Sequence, residues 1–509
     1  MMLPLLIIVP LLGALIACLG GASRSNWPRW LTIGSLLVDA GLLTALSVAT
    51  PDPGLRAGWL AHFSSSWIPQ LGIGLRLDMD GLSLLLLWLT LALSVVSVVI
   101  SWKEITEHVG FFHVCLLATT SGVIGVFLST DLFLFFFFWE IMLVPMYFLV
   151  AIWGHERRVH AAIKFFLFTQ GSGLLMLLAI FGLVFAHRQA TGLFTFDYFQ
   201  LLGTRMPPGT EMLLMLGFFI AFAVKLPVVP FHSWLPDTHT QAPTAGSVLL
   251  AGILLKTGAY GLIRFTVPLF PDAARLFTPV ALALGVIGIL YGALLAMAQT
   301  DMKRLVAYSS VSHLGFVLLG IFAWNSLALQ GVVIQMIAHG VSTGALFILV
   351  GTLQDRLHTR DLRKMGGLWH SAPHFSAIFL FFGVASLGLP GLGNFVGEFL
   401  TLLGTYRVSP PAAILGAVGL VMAAVYVLML VQRSLLGPSQ PGAVITDLSR
   451  RHMAVMAVMI VAIIAVGVLP QPIIDLAAPS LDHLVPSTRT IASARPIILS
   501  QASSQETLP

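Results

Sequence analysis

The sequence predicts an all-α polytopic membrane protein with about fourteen transmembrane helices. Of its 509 residues, 57% are hydrophobic and 9% are charged, whereas soluble domains carry roughly 25% charged residues. Apolar runs of about 20 residues, the length that crosses a bilayer as a helix, recur along most of the chain. These runs are continuous rather than alternating and are about twice as long as a barrel strand, which excludes the β-barrel, the other fold that spans bilayers.

The apolar runs give the positions of the helices in order. The first seven are predicted at residues 2–19, 30–49, 81–102, 111–129, 131–152, 163–186 and 211–230. The second seven are predicted at 244–265, 276–298, 304–323, 329–350, 374–402, 409–432 and 453–472. The longest gaps, about 50–80 and 188–210, leave no room for a soluble nucleotide-binding or catalytic domain. We therefore expect the activity to lie within the membrane.

Four ionisable side chains interrupt the apolar runs: Glu140, Lys225, Lys256 and Glu398. A charge at the centre of a membrane helix costs about 2.5 to 3.5 kcal/mol on insertion scales. At a rise of about 1.5 Å per residue, Glu140 lies ~14 Å inside its helix, and Lys256 is comparably central. Such residues usually mark a functional site with a partner, and the alternative is a structural ion pair.

Two of these charges lie where helix-breaking residues interrupt the predicted helices 7 and 12. Lys225 precedes Pro227 and Pro230, and Glu398 follows the segment GLPGLGN, residues 388–394. Proline cannot donate to the helical ladder and clashes with the preceding turn. Broken helices at membrane depth are typical of transporter ion sites, because freed backbone groups there line a hydrated path. A kink used only for packing is the alternative.

Equal spacings indicate that the chain contains two copies of one unit. Glu140 precedes Lys225 by 85 residues, and His313 precedes Glu398 by the same 85. A repeat of about 173 residues pairs helices 4–8 with helices 9–13, and because five is odd, the two units would be inverted relative to each other. The predicted divisions are helices 1–3 in 1–110, the two units in 111–265 and 276–433, and helix 14 with a tail in 434–509.

These groups suggest a proton relay. A lysine in the bilayer core gives up its proton more readily than in water, whereas a nearby carboxylate holds the proton in place. Movement of Glu140 relative to Lys225 would therefore move a proton toward Lys256 and Glu398. His313 and His339 are further candidate stations because histidine titrates near neutrality, although a lone histidine in an apolar helix is often a hydrogen-bonded structural residue.

The sequence predicts no cofactor and no metal in this chain. Cys18 and Cys115 are its two cysteines, too few for an iron–sulfur cluster held by four thiolates. A glycine-rich turn between a strand and a helix, which would bind a nucleotide, is absent from the sequence. The spacing of His232, Asp237 and His239 matches no zinc pattern. Redox chemistry would therefore belong to partner proteins.

The basic residues indicate orientation rather than nucleic-acid binding, although the formal net charge is +5. Besides Lys225 and Lys256, the chain has 24 lysines and arginines, of which 15 follow odd-numbered helices and 9 lie on the other face. The richer face is expected to be cytoplasmic. Both termini are thus predicted outside, in the periplasm if the source is a bacterium.

The chain resembles the antiporter-like membrane subunits of respiratory complex I, the proton-pumping NADH:quinone oxidoreductase. The resemblance lies in KLPVVPFHSWLPDTHTQAPTAGSVLLAGILLKTGAYGLIRF, TDMKRLVAYSSVSHLG and PGLGNFVGEF. The segments FFFFWEIMLVPMYFLVAIWG and QMIAHGVSTGALFIL fit the same family, so the resemblance covers helices 4 to 13. Among the related subunits, the chain resembles the type in which a glutamate, here Glu398, replaces the lysine of its siblings.

This resemblance implies roles for the residues. Glu140 and Lys225 would form the coupling ion pair, Lys256 would be the central lysine, and Glu398 the terminal exchange carboxylate, with connecting residues His313 and His339. It also implies a bacterial inner-membrane location between two homologous subunits of the membrane arm, with FMN, iron–sulfur clusters, NADH and quinone bound by other subunits. The interior charges alone fit two alternatives equally, a subunit of a multisubunit Mrp-type Na⁺/H⁺ antiporter and one of an energy-converting hydrogenase.

Overall fold

The computed structural model describes residues 2–19, 26–49, 55–437 and 446–484. These residues include 13 helices that are long and apolar enough to cross a membrane. The remaining predicted helix, 374–402, is divided into two shorter helices, Pro373–Ser386 and Gly393–Tyr406. The predicted all-α membrane fold is confirmed. The predicted tail beyond residue 484 lies outside the described residues.

Among the described residues, the N-terminal part and the predicted first unit contain thirteen α-helical segments. They are α1 (Met2–Leu19), α2 (Trp27–Val48), α3 (Gly81–Glu104), α4 (Val109–Leu128), α5 (Leu132–Ile141), α6 (Leu143–Trp153), α7 (Arg158–Thr191), α8 (Tyr198–Leu201), α9 (Pro208–Lys225), α10 (Trp234–Gln241), α11 (Thr244–Leu249), α12 (Leu255–Gly261) and α13 (Val267–Leu269). Two π-helical turns, Leu250–Leu254 and Leu262–Thr266, join α11, α12 and α13 into one continuous span.

The predicted second unit and the C-terminal part contain nine more helices among the described residues. They are α14 (Pro271–Met297), α15 (Met302–Ile321), α16 (Ser326–Leu357), α17 (Leu368–Ser371), α18 (Pro373–Ser386), α19 (Gly393–Tyr406), α20 (Pro410–Leu435), α21 (Arg450–Val468) and α22 (Gln471–Leu481). Helix α16 crosses the centre of this part and is almost wholly buried, so the second unit is organised around it.

The long gap after α2 folds as a β-hairpin, which the apolar pattern did not predict. Strands β1 (Trp59–Ile68) and β2 (Ile73–Asp80) pair antiparallel, with Ser64 opposite Arg76. Arg76 forms an ion pair with Asp197. Neither strand is long enough to cross a membrane as a helix, so a search for apolar spans could not find the hairpin.

The chain leaves the helical conformation at both predicted breaks. Helix α9 ends at Lys225, and α10 begins at Trp234. Helix α18 ends at Ser386, and α19 begins at Gly393. Within the second break, Gly388 and Gly391 have φ values of +84° and +94°, a conformation that glycine adopts at little cost.

One further irregularity was not predicted. The segment predicted as a single helix at 131–152 has a turn at Met142, between α5 and α6. Pro145 explains it, because proline has no N–H to donate to the carbonyl of Ile141, four residues earlier. The turn lies two residues after Glu140, so the chain beside this carboxylate is locally irregular.

The same small arrangement of two aspartates occurs twice. Asp131 faces Asp197 in an isolated antiparallel bridge, and Asp301 faces Asp361 in another. In each case the first aspartate caps the helix that follows it, and the second accepts a hydrogen bond from the amide two residues later. Asp131 and Asp301 are 301 − 131 = 170 residues apart. These aspartates start the fifth and tenth predicted spans, which correspond to α5 and α15. If successive spans alternate in direction, these two starts lie on opposite faces, which favours the predicted inverted repeat.

Glycines bring α19 close against α16. A Cβ atom added to Gly397 would lie 2.7 Å from the backbone nitrogen and 2.8 Å from the Cα of Gln335. Small residues allow membrane helices to approach closely, and association in lipid depends on such packing. This contact places Glu398, the next residue, beside α16.

We therefore expect Gly397→Ala to destabilise the protein. Overpacking of a close contact typically costs about 1 to 3 kcal/mol, so the melting temperature of the detergent-solubilised protein should fall by several degrees. Gly34→Ala is the matched control, because nothing lies within 4 Å of a Cβ at that position. Equal melting temperatures for the two variants would contradict the proposed packing role of Gly397.

Candidate functional site

Lys225 is buried without an ion-pair partner. It is the last residue of α9 and is 1% exposed. Its Nζ lies 5.2 Å from the ring centroid of Trp139 and 5.6 Å from that of Phe165, and it has no hydrogen-bond partner among the described residues. Aromatic faces attract a cation but offer no proton acceptor. The ammonium group is thus held in place without being hydrogen-bonded.

Glu140 lies near Lys225 but does not bond to it. The carboxylate is on α5, adjacent to Trp139, and its Oε1 is buried without a hydrogen-bond partner among the described residues. A Cβ atom added to Gly173 of α7 would lie 2.6 Å from Oε1, so this glycine makes room for the carboxylate. The two charges are close enough to interact electrostatically. The structure therefore shows the predicted pair in a separated arrangement.

Lys256 lies between the two π-helical turns and is fully buried. Its Nζ donates a hydrogen bond to the carbonyl of Ala251 and lies 2.9 Å from Nδ1 of His339. π-Helical turns within α-helices are frequent at functional sites. Here the widened turn presents a backbone carbonyl to the lysine, so both contacts of Nζ come from protein groups within the predicted hydrocarbon region.

Glu398 and His313 form a closed contact in the second unit. His313 Nδ1 lies 2.6 Å from Glu398 Oε1, and both side chains are 1% exposed. Gln335 Nε2 donates a hydrogen bond of 2.8 Å to the same oxygen. The other nitrogen of His313 lies 3.0 Å from the hydroxyl of Tyr426 and 3.2 Å from Oγ of Ser386. Both ring nitrogens of His313 are therefore occupied.

The two histidines connect these contacts. The rings of His313 and His339 lie edge to face, with their centroids 5.9 Å apart. Lys256, His339, His313 and Glu398 consequently form a continuous row of buried titratable groups. The structure does not join Lys225 to this row by a hydrogen bond, but its helix packs against the Lys256 helix, since a Cβ at Gly258 would lie 2.8 Å from the backbone nitrogen of Leu226.

Two further basic side chains, His239 and Lys303, are buried in the interior near Lys256. His239 is fully buried, stacks on Phe347 at 4.3 Å between ring centroids, and has no hydrogen-bond partner for either ring nitrogen among the described residues. Lys303 is also fully buried and lies 3.4 Å from Nε2 of His155. Burial, with the positive charge of Lys303 nearby, lowers the pKa of His155 to about 4, so this loop histidine is neutral at physiological pH.

Sequence reasoning missed several of the residues around these groups. Tyr426, Gln335 and Ser386 contact the His313–Glu398 pair, and the rings of Trp139 and Phe165 flank Lys225. Gln335 carried a usable signal, because it precedes His339 by four residues and so shares its helix face. Tyr426 and Ser386 resemble ordinary packing residues in apolar spans and gave no comparable signal.

The arrangement contains the groups needed to transfer protons. It contains buried groups that both accept and release protons, and two pairs of them, Lys256 with His339 and His313 with Glu398, lie within hydrogen-bond distance. Among residues 2–19, 26–49, 55–437 and 446–484, no group of three or more histidine, cysteine, aspartate or glutamate side chains is arranged to hold a metal. Proton movement is thus the chemistry that this site supports.

Comparison with known proteins identifies the family. Residues 129–424, more than half of the chain, match the family described as "NADH:quinone oxidoreductase/Mrp antiporter, TM". The chain is 56% identical to NADH-quinone oxidoreductase subunit M of Pseudomonas aeruginosa, over 94% of this chain and 97% of that one. It is 52% identical to the same subunit of Escherichia coli strain K12, over 93% and 96%.

Solved structures share the fold. A chain of respiratory complex I from Thermus thermophilus with bound NADH superposes with a TM-score of 0.85 at 30% identity, covering 96% of this chain and all of that one. A chain of the Mrp complex from Dietzia sp. DQ12-45-1b gives a TM-score of 0.81 at 21% identity, covering 96% and 98%. The second likeness shows the fold alone. Taken with the full-length relatives, these matches establish that the chain belongs to the family of NADH-quinone oxidoreductase subunit M, the antiporter-like membrane subunits of bacterial respiratory complex I.

Proposed function

We propose that this subunit moves protons along its buried row, from Lys225 through Lys256, His339 and His313 to Glu398, and that Glu140 controls the first step. The observation that carries the proposal is the pair of short contacts, 2.9 Å between Lys256 and His339 and 2.6 Å between His313 and Glu398, formed by fully buried titratable groups. Burial on this scale is costly in a membrane and is characteristic of ion pathways.

The two units differ in a way that suggests a switch. In the first, Lys225 and Glu140 are separated, whereas in the second the titratable pair is hydrogen-bonded. A carboxylate close to Lys225 would hold its proton, and a distant one would leave the proton free to pass on. The separated arrangement therefore corresponds to proton release toward Lys256.

The unit boundaries, orientation and surroundings form part of the proposal. We assign the first unit to residues 111–265 and the second, inverted one to 276–433; the two aspartate bridges support this assignment. Both termini would face the periplasm, following the distribution of basic residues. Two homologous membrane-arm subunits would flank the chain, while FMN, iron–sulfur clusters, NADH and quinone would bind to other subunits.

The first prediction concerns the Lys225–Glu140 switch. Lys225→Ala and Glu140→Ala should lower NADH-driven proton uptake in inverted membrane vesicles by roughly 10²-fold or to background, since positioned proton-transfer groups contribute about 10² to 10⁴-fold. Glu140→Asp should be milder because the charge is kept. The exposed Lys364→Ala is the control. Normal rate and proton-to-electron stoichiometry in either alanine variant would refute these roles.

A second prediction separates two contacts of the His313–Glu398 pair. Gln335→Leu removes a hydrogen bond to Glu398, whereas Tyr426→Phe leaves His313 Nε2 its contact with Ser386. A lost hydrogen bond to a charged group is worth about 1.5 to 3 kcal/mol. Proton uptake should therefore fall more in the Gln335 variant than in the Tyr426 variant, and the reverse order would contradict the assigned contacts.

Copurification tests the proposed assembly. Tagged chain extracted in mild detergent should be recovered with flavin-containing and iron–sulfur subunits, because its redox partners must be separate proteins. Recovery with small antiporter subunits and no redox centre would overturn the proposed assembly in favour of an Mrp-type antiporter. Recovery with a hydrogenase would overturn it in favour of an energy-converting hydrogenase.

A further inference from the structure

An apolar groove runs along the outside of the bundle between α2, α3 and α21. Its volume is about 500 Å³. Aliphatic side chains and Trp88 line it, together with one charged residue, Arg451, at one end. Several lining side chains are exposed, among them Leu37 at 59% and Val458 at 65%, so the groove opens to the surroundings of the bundle.

The groove is about as long as one leaflet of the membrane is thick. On α21 its lining extends from Arg451 to Ala462, which is ~16 Å at a rise of about 1.5 Å per residue. The hydrocarbon core of a bilayer is about 30 Å thick. A spanning helix of a neighbouring subunit would need roughly twice this length, whereas one lipid acyl chain ends near the middle of the bilayer.

At its charged end the groove adjoins a cavity with an excess of basic side chains, which suits an anionic group. Arg451 lines both the groove and an adjoining polar cavity of about 640 Å³. That cavity is lined by four cations and two carboxylates: Lys103, Arg356, Arg450, Arg451, Glu104 and Asp355. The buried Nε of Arg451 has no hydrogen-bond partner among the described residues. This guanidinium group thus has a donor available for a ligand.

Aromatic residues mark this end as the level of the lipid head groups. Trp30 of α2 and Trp102 of α3 meet edge to face, with 5.2 Å between ring centroids, and Arg29 lies over Trp102 at 5.7 Å. Tryptophan is enriched where the hydrocarbon core meets the head groups. The arginine at the mouth and the apolar groove below it therefore match the two parts of a phospholipid.

We propose that this groove binds an anionic phospholipid of the cytoplasmic leaflet, with one acyl chain in the groove and the phosphate on Arg451. The excess of cations at the mouth favours a net negative head group over a zwitterionic one, since basic residues at the membrane surface attract anionic lipid. The site would hold a lipid against helices α2, α3 and α21, away from the buried row.

Photocrosslinking of the intact complex tests this proposal. The purified complex is reconstituted with phosphatidylglycerol or phosphatidylcholine that carries a photoactivatable group on its acyl chain, and labelled peptides are identified by mass spectrometry. Phosphatidylglycerol should label peptides of α2, α3 and α21 in preference. Arg451→Gln should lower that labelling about fivefold, the equivalent of ~1 kcal/mol. Lys364→Gln is the matched control, because Lys364 is exposed and lines neither the polar cavity nor the groove.

Filling the groove provides an independent variant. Ala92→Phe or Ala462→Phe should abolish labelling by both lipids, because both alanines line the groove; assembly is checked by native electrophoresis. Equal labelling by the two lipids that is unaffected by Arg451→Gln would reduce the site to ordinary boundary lipid and overturn the proposal. Absence of labelling in the unmodified complex would overturn it too, indicating that another subunit covers the groove.

Discussion

Helix α16 holds two buried charges in place, and much of the interior is arranged around it. Gln335 donates to Glu398, and one turn later His339 lies against Lys256. A charge in the hydrocarbon region requires partners, because neither lipid nor bulk water supplies them there. One face of α16 thus contacts both Lys256 and Glu398. It links the central lysine to the carboxylate of the proposed second unit.

This arrangement depends on departures from regular helix. The break before α19 lets Glu398 approach the helix that carries His313, while glycines bring α19 against α16. The π-helical turns beside Lys256 supply a carbonyl that a regular α-helix would keep in its own ladder. Each irregularity lies beside a titratable group, so the departures from regular helix and the proposed function coincide in position.

The two proposed units share their aspartate bridges but differ in their polar contacts. Their aspartate bridges repeat closely, yet the lysine of the first unit lies between aromatic rings while the glutamate of the second is hydrogen-bonded. Such a difference suits a relay whose halves open to opposite sides of a membrane at different times. The groove proposed to bind lipid lies on the outside of the bundle, between α2, α3 and α21.

The sequence by itself determined the class of fold, the position of nearly every span and the four charges inside the apolar runs, because hydrophobic length and rare interior charges are local properties that a bilayer enforces strongly. It also indicated both breaks, since proline and glycine act within a turn or two of themselves. Only the tertiary structure decided which groups touch. The contacts of His313 with Glu398 and Tyr426 and the separation of Lys225 from Glu140 involve residues far apart in the chain. Such pairings depend on how the helices rotate and pack against one another. Packing is set by many residues on several helices, so no single position in the sequence predicts it.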